Sequence, residues 1–213
     1  MRALRGHSPI KAEETPQEQA NDAVAAQVLR ALRGERAAEE WIAHRAYAAG
    51  LRLGTFSLGD SNLAQDVGQE VAMRVLANLP KLRDADRFDG WTYRICAREI
   101  KRAANRRSRQ EHREKAASAP EPAAEPGFPR LLEERDWLAQ ALAELSERQR
   151  LVLGLRFVFG LEDEEIAAAI GARRGTVRSL SSRALARLRR RAEKEGQAAA
   201  SEGSARNQME VTR

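Results

Sequence analysis

Apolar residues recur at helical intervals through most of the chain. Val24, Val28 and Leu32 share one face of a helix predicted from Asn21 or Asp22 to a stop at Gly34. Ile42, Ala46, Ala49 and Leu53 make the inward face of a second, over about 37–53. The stretch "GTFSLGD" (Gly54 to Asp60) reads as a loop by its Gly and Ser content. A third helix spans Ser61 to Asn78, with Leu63, Val67, Val71 and Val75 at every fourth residue and Pro80 just past its end. A fourth, long one runs from Arg87 to about Arg113, with Phe88, Trp91 and Ile95 inward.

The pattern resumes with a helix carrying Leu131, Leu138, Leu142 and Leu145. "SERQ" (Ser146 to Gln149) is a capping box, in which the Ser hydroxyl accepts the N–H three residues on and the Gln side chain reaches back. The helix it opens continues through Leu151, Val152 and Leu155. "GLEDEEIAAAIG" (Gly160 to Gly171) is a short helix whose first turn holds its acids, where the helix dipole favours them, and Gly171 breaks it. One more helix follows, its apolar stripe made by Val177, Leu180, Ala184 and Leu188.

Between the two patterned halves, "AASAPEPAAEPGFP" (Ala116 to Pro129) has four prolines and no hydrophobic period. It is too poor in bulky apolar groups to pack and reads as a linker. The expected fold class is therefore all-α: two small helical domains, at 20–115 and 130–194, joined by a flexible Pro/Ala-rich linker at 116–129. Residues 1–19 form a flexible arm in this reading, and the Gly-, Ser- and Ala-rich residues 195–213 a disordered tail.

Composition narrows the chemistry. Hydrophobic content is 42% and aromatic content 5%, so the core rests on Leu, Ala, Val and Ile, which favours helices over sheets. The net charge is +6, and a basic chain favours a polyanionic partner. The single cysteine, Cys96, permits no internal disulfide, and His7, His44 and His112 form no metal-ligand spacing with it. No apolar run approaches the roughly 20 residues that span a bilayer, and "MRALRGHSPIKAEE" lacks the apolar segment of a secretory signal. These features predict a cytoplasmic protein that does not engage membranes. With no phosphate-binding glycine loop and no nucleophile–base set, they predict no catalytic residue, no metal, no cofactor and no enzyme.

Charge is concentrated. Between Gly171 and Lys194 stand nine basic residues and one acid, a larger positive excess than that of the whole chain. Two helices joined by a short Gly-containing turn, the second one basic, is the helix-turn-helix pattern. Its second helix presents its N-terminal part to the major groove. Arg173 and Arg174 lie in the turn, Thr176 sits at the helix start, where free N–H groups attract phosphate, and Arg178, Ser179, Ser182 and Arg183 face away from the apolar stripe. The guanidinium fork takes two acceptors on guanine or on a phosphate, and hydroxyls donate to phosphate oxygens. A second patch, Arg94 to Lys115, has nine basic residues and three acids.

The segment "AQDVGQEVAMRVLANL" (Ala64 to Leu79), with "RFDGWTYRICAREIKRAANRRSR" (Arg87 to Arg109) after it, resembles the second conserved region of bacterial RNA polymerase sigma factors. "LAELSERQRLVLGLRFVFGLEDEEIAAAIGARRGTVRSLSSRALARLRR" resembles their fourth region. A chain with only these two regions is similar to the extracytoplasmic-function class of the sigma-70 family. The resemblance covers about 20–115 and 130–194 and implies a chain that directs core RNA polymerase to promoters. Asp66, Gln69, Glu70 and Arg74 fall in the segment that implies a grip on the clamp of the polymerase's largest subunit. Tyr93, Arg94, Arg98, Lys101, Arg102 and Arg106 match the part that opens the minus-ten promoter element and holds one strand. Stacking on an aromatic beside a basic groove is how single strands are held. Trp91 reads as core and Tyr93 as the more exposed of the two. The implied partners are core polymerase, promoter DNA and, for chains of this class, an anti-sigma factor.

Four positions depart from the family pattern and bear on promoter reading. Arg102 stands where Asp is usual and Arg98 where Asn is frequent. Asp163 replaces a common aromatic, and Leu180-Ser181 a common Arg-Leu. Two other readings stay open at this level: a dimeric helix-turn-helix regulator acting through 130–194, and a protein that binds polymerase or an anti-sigma factor without initiating.

Overall fold

The computed structural model describes the backbone of residues 16–117 and 133–211, and the side chains of 21–114 and 137–195. Residues 118–129 of the segment expected to link the halves lie outside the described residues, as do Leu131 and residues 1–15 of the expected arm. Among the described residues the chain forms eight α-helices, which we number α1 to α8, and short 3-10 turns at Leu79–Lys81 and Ala85–Arg87.

The N-terminal unit is α1 (Pro16–Leu32), α2 (Arg36–Leu58), α3 (Ser61–Asn78) and α4 (Phe88–Ala117). Helix α2 is its axis and packs against each of the other three. Helix α3 begins where expected: the Asp60 carboxylate accepts the N–H groups of Asn62 and Leu63 at 2.9 and 3.0 Å. Val67, Val71 and Val75 are fully buried, as their spacing predicts.

Two expectations fail here. Leu32 is exposed, and Ala31 takes the core position after Val28, because the 3.6-residue period carries the stripe from 28 to 31 on the last turn. The "GTFSLGD" stretch is not a loop through its first five residues. Helix α2 runs on to Leu58 and ends at Gly59, whose φ of 67° lets its N–H reach Thr55 O. Gly50 and Gly54 lie one turn apart within α2. A Cβ on Gly50 would sit 3.0 Å from Gly68 Cα, and one on Gly54 3.1 Å from Ala64 Cα. These glycines let the α2 and α3 backbones touch. Tertiary packing thus offsets the roughly 1 kcal/mol that each glycine costs inside a helix.

The C-terminal unit is α5 (Glu133–Ala143), α6 (Glu147–Phe157), α7 (Asp163–Ile170) and α8 (Arg174–Val211). The Ser146 capping box forms as predicted, with both reciprocal bonds present. Gly171, at φ 64°, makes the turn between α7 and α8. Leu142 and Leu145 are buried but Leu138 is exposed. Val177 and Leu180 seat α8 beside Ile166 and Ala167 of α7. Ala184 and Leu188 pack instead with Leu142, Leu145 and Leu153, so the second half of the stripe rests on the α5–α6 corner. Ser181, the departure noted in the sequence, is buried next to Leu180 with its Oγ unpaired. The backbone helix of α8 extends past residue 194, where the sequence predicts its end, to Val211.

The halves do not stand apart. Helix α6 packs on α2, and α7 on α4. Leu151, Val152 and Leu155 share a continuous apolar core with Ile42, Leu53 and Ile100.

Candidate nucleic-acid and polymerase interfaces

Helix α3 buries its valines and turns a polar ridge outward. Asp66 and Gln69 are exposed, Glu70 is half-exposed, and Arg74 spans from Glu70 Oε2 at 3.4 Å to Glu99 Oε1 at 2.8 Å. Glu99 is only 3% exposed and also accepts from Arg102 Nη1 at 2.6 Å. It is the joint between the α3 ridge and the basic face of α4. Sequence reasoning passed over Glu99, whose signal was a lone acid among "RICAREIKR".

Arg94, Arg98, Lys101, Arg102 and Arg106 are all exposed along α4, on the face opposite Cys96, Ile100 and Ala103. One basic stripe therefore forms from residues three to four apart. Tyr93 is half-buried, as is Trp91, whose ring lies 6.2 Å from that of Phe88. The Tyr93 ring lies 4.7 Å from that of Phe159, in the turn after α6. Burial, then the nearby Asp89 carboxylate, pushes its phenol up to about 12. Asp89 itself takes a two-pronged bond from Arg45, at 2.9 and 2.6 Å.

Arg173, just before α8, and Arg174, Arg178, Ser179, Ser182 and Arg183 on it are exposed, and Thr176 is half-exposed in the first turn. The arginines are not idle in the free protein. Arg178 Nε donates to Asp163 Oδ2 at 2.9 Å, and Arg174 lies 3.8 Å from Glu164. Arg183 donates to the Ser179 carbonyl and hydroxyl at 3.1 and 3.0 Å. Asp163 is also paired with Arg156 of α6. Its carboxyl is held below the usual range by Arg178 first and Arg156 second. The acids that open α7 thus preset the cations that open α8.

Residues 43–110 match Sigma-70 region 2, and residues 141–190 match Sigma-70, region 4. The chain is 34% identical over 143 residues to the ECF RNA polymerase sigma factor ShbA of Streptomyces griseus, covering 63% of this chain and 75% of that one. The chain belongs to the extracytoplasmic-function sigma factors of the sigma-70 family. It is also 37% identical over 131 residues to the ECF RNA polymerase sigma factor SigD of Mycobacterium tuberculosis, and spans 61% of that relative's length and 59% of its own. Among solved structures, the fold is similar to that of CnrH in complex with the cytosolic domain of CnrY, with a TM-score of 0.59 and 21% identity over 81% of this chain and 99% of that one. It is likewise similar to the sigma factor RpoE bound to the anti-sigma factor NepR from Bartonella quintana, with a TM-score of 0.56 and 24% identity over 70% and 92%. Every candidate residue of this family member lies within the two matched regions. Among the described residues no helix is long and apolar enough to cross a membrane.

Proposed function

We propose that this sigma factor is a dissociable, non-catalytic initiation subunit that brings core RNA polymerase to promoters. The observation that carries the reading is the division of exposed charge. A mixed polar ridge on α3 and two separate basic faces, on α4 and α8, stand within the two family regions.

Each face has a task that suits its chemistry. The ridge of Asp66, Gln69, Glu70 and Arg74 grips the clamp of the largest polymerase subunit, with Glu99 holding Arg74 in place. The first turns of α8 enter the major groove of upstream duplex. There Arg173, Arg174, Arg178 and Arg183 exchange their internal partners for phosphates and base edges, and Thr176, Ser179 and Ser182 donate to phosphate oxygens. The stripe of Arg94, Arg98, Lys101, Arg102 and Arg106 tracks the backbone of the melted strand, with Tyr93 offering a ring on which a base stacks. The work of such a subunit lies beside the chromosome in the cytoplasm, and an anti-sigma factor is the protein inhibitor expected for this class.

The test is purified core polymerase with this chain on a library of random promoters, scored by transcript. Transcript from a defined pair of elements is the expected result. A dimer that binds an operator but not core polymerase would support the regulator reading instead. Binding to core without transcript would reduce the chain to a polymerase-binding protein.

A further inference from the structure

Two helix faces leave a cleft between them that the proposed tasks do not use. On α2, Trp41, Arg45, Ala48, Ala49 and Arg52 recur at three- and four-residue intervals, so they share one face. Asp89, Thr92 and Tyr93 share a face at the start of α4 for the same reason. Between the faces lies a cavity of about 410 Å³. Ala48 and Ala49 keep it open, since neither side chain reaches past its Cβ. Phe159, in the turn after α6, closes one end across the seam between the units.

The lining combines flat rings with two cations in different states. Arg45 lies over Trp41 at 5.5 Å, and its charge is already met by Asp89 at 2.9 and 2.6 Å. Arg52 lies over Phe159 at 5.2 Å and reaches only the Val158 carbonyl, at 3.5 Å. Among the described residues it pairs with no carboxylate. Thr92 is 1% exposed, and its Oγ1 has no hydrogen-bond partner. A buried hydroxyl left in that state costs about 1–3 kcal/mol until something bonds it. The cleft thus offers an unmatched cation, an unmatched hydroxyl and the ring of Tyr93, in a volume ordinary for a small-molecule site.

We infer that this cleft binds a small planar aromatic anion: its ring lies against Tyr93 and the two alanines, its anionic group pairs with Arg52, and its edge bonds Thr92 Oγ1. Two sources share this chemistry, a purine mononucleotide and an aromatic carboxylate. An inorganic anion would answer Arg52 but leave the apolar walls wet. A neutral ring would cover the walls but leave Arg52 unmatched. The site shares only Tyr93 with the faces proposed for polymerase and DNA, and does not depend on their assignment. Its occupant gives a small-molecule input to a chain whose expected partners are macromolecules.

Calorimetric titration of the full chain, at about 150 mM salt to screen the exposed arginines, compares four probes: adenosine monophosphate, indole carboxylate, adenosine and inorganic phosphate. One or both of the first two should bind one to one, about tenfold more tightly than adenosine or phosphate. Which of them binds separates the two sources. Two variants locate that binding. Arg52→Gln removes the cation, keeps a polar side chain, and should weaken binding by about tenfold, the share of a charge-assisted hydrogen bond. Ala48→Phe fills the cleft from an exposed helical position and should abolish binding. Both should melt with the wild-type chain, and Arg52→Gln carries the test even if Ala48→Phe melts early. Binding of both aromatic anions no tighter than that of phosphate overturns the inference. So does tight binding that Arg52→Gln leaves intact.

Discussion

Arg178 donates from Nε to Asp163 Oδ2 at 2.9 Å, joining the start of the recognition helix to the start of the helix before it. The same carboxylate pairs with Arg156, so one acid orients an arginine proposed to meet DNA and ties three helices together. Asp163→Asn should lower the stability of the C-terminal unit and raise affinity for nonspecific duplex severalfold, since it removes a negative charge beside the phosphates. Thermal melting and duplex titration of the same variant check both signs. Asp163 has a depressed pKa, so its contribution is present above about 3.8, its ordinary value, and is lost as pH falls through the lower folded value.

Glu99→Ala should act on two functions at once. It frees Arg74 on the ridge proposed to meet polymerase and Arg102 on the face proposed to meet DNA, and deletes a buried acceptor. The expected cost is about 2 kcal/mol of stability in urea unfolding, with core-polymerase affinity falling while Arg74 is still present. Unchanged affinity would show that the orientation of Arg74 does not matter to the grip.

Tyr93 offers an optical test of its packing against Phe159. Its phenol is pushed up to about 12 by burial, so absorbance in a Tyr47→Phe background should titrate about two units above the ordinary value near 10. The raised value also means that stability is whole below about pH 10 and declines toward pH 12, because the unfolded chain ionises first. Phe159→Ser should bring the titration back toward 10.

Gly50→Val should destabilise the N-terminal unit by about 3 kcal/mol, since its new side chain meets the backbone at Gly68 rather than a movable group. Chemical denaturation measures this directly. A cost below about 1 kcal/mol would mean that α2 and α3 can separate without penalty.

Duplex binding should fall by about a thousandfold between 50 and 200 mM salt if roughly six phosphates are neutralised. Removing one exposed arginine, as in Arg183→Ala, should reduce the slope by about one. A flat response would remove the α8 face from DNA contact.

Much of the architecture was legible because it depends on local chemistry. Asp60, Ser146 and Gly171 start or stop their helices through bonds made within four residues. The valine stripe of α3 and the basic face of α8 follow from helical period alone. Glycine misled at 54, where its role was contact with Ala64 rather than a turn. Leu32 and Leu138 misled because hydrophobicity does not say which side of a helix finds a neighbour. Glu99 escaped notice because its two arginine partners come from different helices.

The order of residues by itself determined the helices, their caps, the placement of positive charge and the family, since each rests on neighbours within a turn or two or on a run of matching residues. Only the tertiary structure decided that Arg150 caps α2 across the seam, that Phe159 lies on Tyr93, and that Asp163 holds Arg178. Those pairings join residues brought together by packing, and their free energies depend on distance and burial that no local pattern encodes.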